Sequence, residues 1–545
     1  MRWRTNFLIV CFFIFYSLLF SKIYNIQLNK SDYYLNRAES QQKAIGSLEP
    51  TRGNIYFSDK NGNSSLAAFN KDYGVIYAVP QETFENYKDI AGKLEPIINL
   101  SIEEIENKLN KKKDLYELLV EKATSEQMEK IKSLGITGIY TDIRPFRSYP
   151  FSALAAHLIG FTSSAQESEI LKYGNSYIGR YGLEAKLDKS LRGKNGYVEK
   201  GNFVSSEAGE NIFLTLDINI QTQAEEILKK LIEEHKATGG TILVEEPKTG
   251  KILAMASNPN FDPNNYSKYD IKNFLNPAVQ AVYEPGSVFK VITMAAGIDS
   301  GKITPDTTYV DSGSVVLNER TIKNWDLRTY GKQTMTNVLE NSINTGAVFA
   351  QRKTGPDIFY NYLVKFGFND LNGISLPGEV KGNLNNLRGN KEIDFATASF
   401  GQGVAVTPIQ LMSAISAIAN NGVLMKPLIL KEEAPQVIRR VVSSETAKAV
   451  ANMMILAVNK NKLAVVENYS VAGKTGTAFI PDFGKGKYTD DVINTYVGFI
   501  KSDFAILIKL DRAYGSPLAG QTVVPAFRNL AQFILNYYNI APDKL

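Results

Sequence analysis

The strongest constraint on this chain lies at its start. From Thr5 to Ser21 no residue carries a charge, and most are Phe, Leu, Ile, Val or Tyr. Extended through Lys22 to Ile26, the run reaches the roughly 20 residues that cross a bilayer, and Lys22 can snorkel toward the headgroups. Arg2 and Arg4 stand directly before it, which predicts a cytoplasmic N-terminus. A cleaved signal peptide is the alternative, but Ser21-Lys22-Ile23-Tyr24 offers no small-x-small cleavage site. No second apolar stretch of this length occurs, so the sequence predicts a single-pass protein with a large extracytoplasmic part.

That part must do its chemistry with few of the usual tools. The one cysteine, Cys11, lies in the apolar run, which excludes an internal disulfide framework and a Cys-based zinc site. The two histidines, His157 and His235, make a His-rich metal site a poor reading, and no metal or cofactor is expected. A net charge of +5 over 545 residues is too weak to argue for nucleic acid. At about 150 residues per domain, the length suggests about three domains.

Residues 27–50 are polar and read as a stalk. The Glu- and Lys-rich stretch from Ser101 to Leu134 reads as a charged helical tract, most simply a solvated amphipathic face. Beyond a softer boundary near Gly209–Asn211, Ile220 to Glu234 predicts a helix. Thr241–Glu245 and Lys251–Ala256 predict a hairpin. Three later runs, Tyr469–Ile480, Asn494–Ile500 and Phe504–Leu510, predict strands, and Pro525 to Tyr538 a closing helix. Two early and three late strands predict one antiparallel sheet interrupted by a long, mostly helical insertion.

Three short motifs carry candidate chemistry. In Glu284-Pro285-Gly286-Ser287-Val288-Phe289-Lys290, Ser287 falls in the first turn of a helix and Lys290 on the same face one turn on. Lys290 is the only charged residue from Pro285 to Ile298, so the helix reads as buried. Burying an ammonium is costly unless it is paired or deprotonated. A neutral amine beside a hydroxyl is a general base beside a nucleophile. A second Ser-x-x-Lys, Ser40 to Lys43, lies in the polar stalk without that context. Ser342-Ile343-Asn344, between two predicted helices, either projects into a cleft or caps a helix. Lys-Thr-Gly occurs at 248–250, 353–355 and 474–476, and only the third lies along a predicted strand. There Lys474, Thr475 and Thr477 could hold a carboxylate, and the small Gly476 lets a substrate backbone approach.

The order Ser-x-x-Lys, Ser-x-Asn, Lys-Thr-Gly resembles the penicillin-binding proteins, specifically the membrane-anchored class B type. Arg52-Gly53-Asn54-Ile55, Arg180-Tyr181-Gly182-Leu183-Glu184, Leu191-Arg192-Gly193, Asn324-Trp325-Asp326, Phe400-Gly401-Gln402-Gly403 and Thr407-Pro408-Ile409-Gln410 extend the resemblance over residues 52 to 527. Two extra residues before Asp59-Lys60-Asn61-Gly62 are the one departure. The resemblance implies an α+β chain: a tail (1–4), an anchor (5–26), an elongated non-catalytic pedestal or dimerisation domain (27–210) and a transpeptidase domain (211–545). The last would hold a five-stranded sheet flanked by helices and an all-helical subdomain.

It further implies acyl transfer on peptidoglycan stem peptides ending in D-Ala-D-Ala. Ser287 would be the nucleophile and Lys290 its base, with Lys474 helping to keep Lys290 neutral. Ser342 and Lys474 would relay a proton, and Asn344 would orient substrate. Thr475, Gly476 and Thr477 would line the substrate strand, with the N–H groups of Ser287 and Thr477 as oxyanion hole. β-Lactams would stall as acyl-enzymes, and a SEDS-family glycan polymerase and other divisome proteins would be partners. Ser-Ile-Asn-Thr-Gly and Gly-Lys-Thr-Gly-Thr-Ala lean toward the division (FtsI-like) branch over elongation. A carboxypeptidase- or β-lactamase-like hydrolase, a β-lactam sensor and an inactive scaffold are the alternatives; a class A enzyme would need an N-terminal glycosyltransferase signature that is not visible.

Overall fold

A computed structural model of the chain describes residues 2–25, 50–173, 176–199, 202–482, 484–501, 503–515 and 518–544. The expected stalk, with Ser40 and Lys43, lies outside them but for residue 50. Arg2–Tyr24 is a single helix, and 19 of its residues, Asn6–Tyr24, are long and apolar enough to cross a membrane. At 1.5 Å per residue that is about 28 Å, close to the thickness of a hydrocarbon core.

The chain divides into two compact units. One comprises Met1–Arg52, Asn70–Ser148 and Gly193–Ala208; the other Gly53–Phe69, Tyr149–Arg192 and Gly209–Leu545. In the first, Gly74–Ala78 pairs antiparallel with the strand Glu117–Ala123. Helices Tyr87–Ile98, Ile102–Leu109 and Ser125–Leu134 share a core of Ile76, Leu94, Ile105, Leu119 and Ile131.

This corrects the single charged helical tract expected from Ser101 to Leu134. Two short helices flank a strand there because each has its own start signal. Ser101 with Glu104 and Thr124 with Gln127 form capping boxes, each satisfying backbone N–H groups that a helix end leaves unpaired. Between them Leu119 and Ala123 are buried on the sheet.

The second unit is built on one sheet. We label its principal elements α1 (Ile218–His235), β1 (Gly239–Glu246), β2 (Lys251–Asn258), α2 (Lys290–Asp299), α3 (Met335–Glu340), α4 (Asn344–Thr354), α5 (Pro408–Ala419), α6 (Ser444–Asn461), β3 (Val471–Asp482), β4 (Lys487–Ile500), β5 (Phe504–Asp511) and α7 (Val523–Tyr538). The strand order is β2-β1-β5-β4-β3, antiparallel throughout, as the five apolar runs suggest. β4 starts earlier than expected because its N-terminal end continues the hairpin with β3, pairing Tyr488 with Pro481.

The central strands are buried on both faces, which is why they read as continuous apolar runs rather than alternating ones. Ile242, Val244, Ile506 and Ile508 pack under α1 and α7, against Leu228, Phe527 and Leu530. Leu243, Met255 and Leu507 face the other way, onto Ile409, Met412 and Ile415 of α5. Every residue of α5 is buried, as a helix apolar all round must be. The insertion between β2 and β3 is helical apart from three two-stranded ribbons.

Leu530 is 0% exposed at the centre of the α7 contact, whereas Leu275 is 52% exposed. Leu530→Ala should therefore cost about 2–5 kcal/mol and lower the urea midpoint, while Leu275→Ala should stay within about 0.5 kcal/mol. Equal midpoints for the two variants would contradict this account of the core.

Candidate active site

Ser287 sits in a 3₁₀ turn, Gly286–Phe289, that runs directly into α2. The turn is pinned by close backbone contact. Gly286 N–H donates to the carbonyl of Gly401 at 3.2 Å. A Cβ on Gly401 would fall 2.2 Å from the Gly286 oxygen, so this contact requires glycine. Glu284, just upstream, accepts from Gly403 N–H (3.0 Å) and from the Tyr488 hydroxyl (3.0 Å), tying β4 to the same turn.

Lys290 opens α2 and is 0% exposed among Val, Ile and Phe side chains. Its Nζ lies 2.6 Å from the Ser342 carbonyl oxygen, 2.8 Å from Asn344 Oδ1, 3.1 Å from Ser287 Oγ and 3.2 Å from Ser342 Oγ. Burial, reinforced by the charge of Lys474, holds its pKa well below that of an ordinary lysine. Hydrogen-bond capacity then dictates the chemistry. A neutral amine has two N–H donors and one lone pair. The Ser342 and Asn344 carbonyls can only accept, so they take both donors. The lone pair is left for a hydroxyl, that of Ser287 at 3.1 Å or that of Ser342 at 3.2 Å.

Ser342 lies in the loop between α3 and α4 with φ +56°. A side chain in that left-handed region costs about 1 kcal/mol or more. With this backbone its carbonyl and its hydroxyl both lie within hydrogen-bond distance of one amine. The helix-cap alternative for Ser342-Ile343-Asn344 fails: Ile343 occupies the N-cap of α4, and no side chain caps it. Asn344 Nδ2 donates instead to the carbonyl of Lys323 at 2.9 Å, which fixes the amide with Oδ1 toward Lys290.

Lys474 lies on β3, 4% exposed, and its Nζ donates to Ser342 Oγ at 2.9 Å and to the Thr475 carbonyl at 3.1 Å. Burial pushes its pKa down to about 7. Ser342 Oγ thus bridges two desolvated amines. β3 is the terminal strand of the sheet, with no strand partner on its other edge among the described residues. It comes close to the Ser287 turn at Gly476, where a Cβ would meet the Pro285 carbonyl at 2.6 Å. Thr475 is half-buried and Thr477 exposed; the Thr477 hydroxyl donates to Asn494 Oδ1 at 3.3 Å and accepts from Ala519 N–H at 3.4 Å.

Ser287, Lys290, Ser342, Asn344 and Lys474 therefore form one hydrogen-bonded cluster from two helix starts and a strand, with Thr475, Gly476 and Thr477 continuing along that strand. The other Lys-Thr-Gly copies are placed differently. Lys248 pairs with Asp503 at 2.9 Å in the β1–β2 turn, and Lys353 lies over the Phe349 ring within α4. Sequence reasoning assigned no role to Glu284, Tyr488, Asn494 or the Lys323 carbonyl. Glu284 heads the first motif and could have been noticed; a backbone carbonyl leaves no trace in a sequence.

Residues 240–532 match the family described as penicillin binding protein transpeptidase domain, and residues 47–212 the penicillin-binding protein dimerisation domain. The chain is similar to stage V sporulation protein D of Bacillus subtilis, 31% identical over 91% of this chain and 80% of the relative. It is also similar to the probable peptidoglycan D,D-transpeptidase PenA of Neisseria meningitidis (28%, 99% and 94%) and to peptidoglycan D,D-transpeptidase FtsI of Escherichia coli (25%, 100% and 93%). Among solved structures, penicillin binding protein 3 of Mycobacterium tuberculosis in complex with ampicillin resembles it with a TM-score of 0.69 at 26% identity, covering 91% of this chain and 96% of that one.

Lys474 gives the cluster a pH signature. Its folded pKa, about 7, lies below the ordinary 10.5, so between these values the unfolded chain binds a proton that the folded one does not. Stability then rises with pH across that window, by at most about 1.4 kcal/mol per pH unit for one proton. Lys474→Met should flatten this rise between pH 7 and 10 in thermal melts; melting curves that climb as steeply in the variant would refute the shift.

Proposed function

The chain belongs to the class B penicillin-binding proteins, and on that premise we propose that it is a peptidoglycan D,D-transpeptidase that crosslinks stem peptides through an acyl-serine. The observation that carries this reading is the buried Lys290 amine, whose Nζ lies 2.6 Å and 2.8 Å from two carbonyl acceptors and 3.1 Å from Ser287 Oγ.

Ser287 Oγ attacks the penultimate D-Ala carbonyl while its proton passes to Lys290 Nζ. The tetrahedral oxyanion lies at the start of the Ser287 turn, against the N–H groups of Ser287 and Thr477. As the C–N bond breaks, the terminal D-Ala amine takes a proton along Ser342 Oγ, which bridges Lys290 and Lys474. The carboxylate of that D-Ala is held by Lys474 and the hydroxyls of Thr475 and Thr477. Asn344 has one Nδ2 hydrogen left for a substrate amide. The amine of a second stem peptide then attacks the ester, which forms the crosslink and frees Ser287. A β-lactam opens on Ser287 in the same way, but its amine leaving group stays tethered and the acyl-enzyme persists.

In this reading residues 1–4 are a cytoplasmic tail and 5–26 the membrane anchor, with Arg2 and Arg4 keeping the N-terminus inside. Residues 27–210 form a non-catalytic pedestal that docks a SEDS-family polymerase and other divisome proteins, and 211–545 the extracytoplasmic transpeptidase domain. The similarity to FtsI and the Ser-Ile-Asn-Thr-Gly sequence support septal rather than side-wall synthesis.

Labelling with a fluorescent penicillin should give a stable adduct on Ser287 that is absent from Ser287→Ala. Lys290→Met should slow its formation by on the order of 10²- to 10⁴-fold. An adduct that survives Ser287→Ala would sink the assignment, and an adduct hydrolysed within seconds would favour a hydrolase. Depletion in the native host should produce filaments; rounded cells would favour elongation.

A further inference from the structure

One buried carboxylate near the cluster has no part in the chemistry above. Asp311 ends the strand Thr308–Asp311 and is 1% exposed. Its Oδ1 accepts from the Thr345 hydroxyl at 2.5 Å and from Gly313 N–H at 3.0 Å. Its Oδ2 accepts from Tyr330 N–H at 2.7 Å and from Asn324 Nδ2 at 3.0 Å. Burial alone would raise this carboxyl, but those four donors together pull it below the usual carboxylate value. A buried, ionised, fully satisfied carboxylate is a rigid anchor.

What it anchors leads back to Lys290. Asn324 Nδ2 is shared between Asp311 and the Arg328 carbonyl (2.9 Å), so its Oδ1 must point the other way, onto Thr345 N–H at 3.3 Å. This seats the backbone of Lys323 and Asn324 against the first turn of α4. There the Lys323 carbonyl meets Asn344 Nδ2. That bond decides which end of the Asn344 amide faces Lys290. With Oδ1 inward, Asn344 accepts from the amine and leaves its lone pair free. Turned over, the amide would donate an N–H into that lone pair and compete with the Ser287 proton.

We propose that Asp311 is a positioning residue for the general base, acting through Asn324, Thr345 and the orientation of the Asn344 amide. This rests on the acyl-serine reading above. Asp311→Asn probes it because an amide offers one acceptor oxygen and one donor nitrogen where four donors converge.

The test is single-turnover acylation of the full-length protein in detergent by a fluorescent penicillin, separating non-covalent affinity, acylation rate constant and the fraction of sites that react. In D311N the rate constant should fall on the order of 100-fold, the scale of a misplaced catalytic group, with affinity and reactive fraction kept. In an Asn344→Ala background the same substitution should add less than about threefold, because residues acting through one another are not additive. A smaller reactive fraction whose members acylate at the wild-type rate would show mere structural support and overturn the proposal; so would a full additional 100-fold loss on top of Asn344→Ala. If D311N does not accumulate as folded protein, Thr345→Val removes one arm of the network and is judged by the same criteria. Wild-type protein that forms no adduct on Ser287 would instead sink the functional reading itself.

Discussion

The site depends on one amine kept out of water. An ammonium buried as deeply as Lys290 would cost several kcal/mol unless it were paired with a charge, and among the described residues no carboxylate is hydrogen-bonded to it. The fold's solution is to keep the group neutral, surrounding it with acceptors that serve an amine as well as an ammonium. Burial on α2 and the nearby charge of Lys474 act in the same direction. A lysine held neutral in this way has the chemistry a general base needs without a histidine. The two histidines are placed elsewhere: His157 is buried edge-on to Phe261, with its pKa down at about 4, and His235 ends α1.

Holding that amine in register requires unusual backbone. Ser342 accepts a left-handed conformation, and in return one residue offers a carbonyl and a hydroxyl to the same nitrogen. The hydroxyl also meets Lys474, so protonating either amine disfavours protonating the other. Glycines at 401 and 476 let backbones approach where any side chain would collide with a carbonyl. Strand, turn and loop are thus locked by contacts too short to tolerate drift, which suits a site whose bonds must align within tenths of an ångström.

Much of this was legible because the relevant patterns are local. The five strands of the sheet read as apolar runs, and α2 was marked as buried by its single charge. The Ser101–Leu134 tract misled because its charges match a solvated helix, whereas the outcome turned on two capping boxes and on the pairing of Glu117–Ala123 with a distant strand. Ser342-Ile343-Asn344 stayed ambiguous for a similar reason. Cap and cleft use the same residue types, and only the placement of Ile343 at the N-cap separates them. The Phe400–Gly403 and Thr407–Gln410 motifs gain their sense as structure: the first supports the Ser287 turn, and the second caps α5.

The sequence by itself determined the apolar N-terminal run, the sheet-forming segments, the absence of cysteine outside residue 11, and the choice of Ser287, Lys290, Ser342, Asn344 and Lys474 as candidates. Hydropathy and spacing report burial and local shape, and these are properties of neighbours along the chain. Only the tertiary structure decided that Ser342 Oγ stands between Lys474 and Lys290, which way the Asn344 amide turns, and that Asp311 lies behind it. Those answers depend on groups 21 to 132 positions apart in the sequence brought within 3 Å or so. They are settled by how many donors and acceptors a buried space can satisfy, and no window of sequence contains that count.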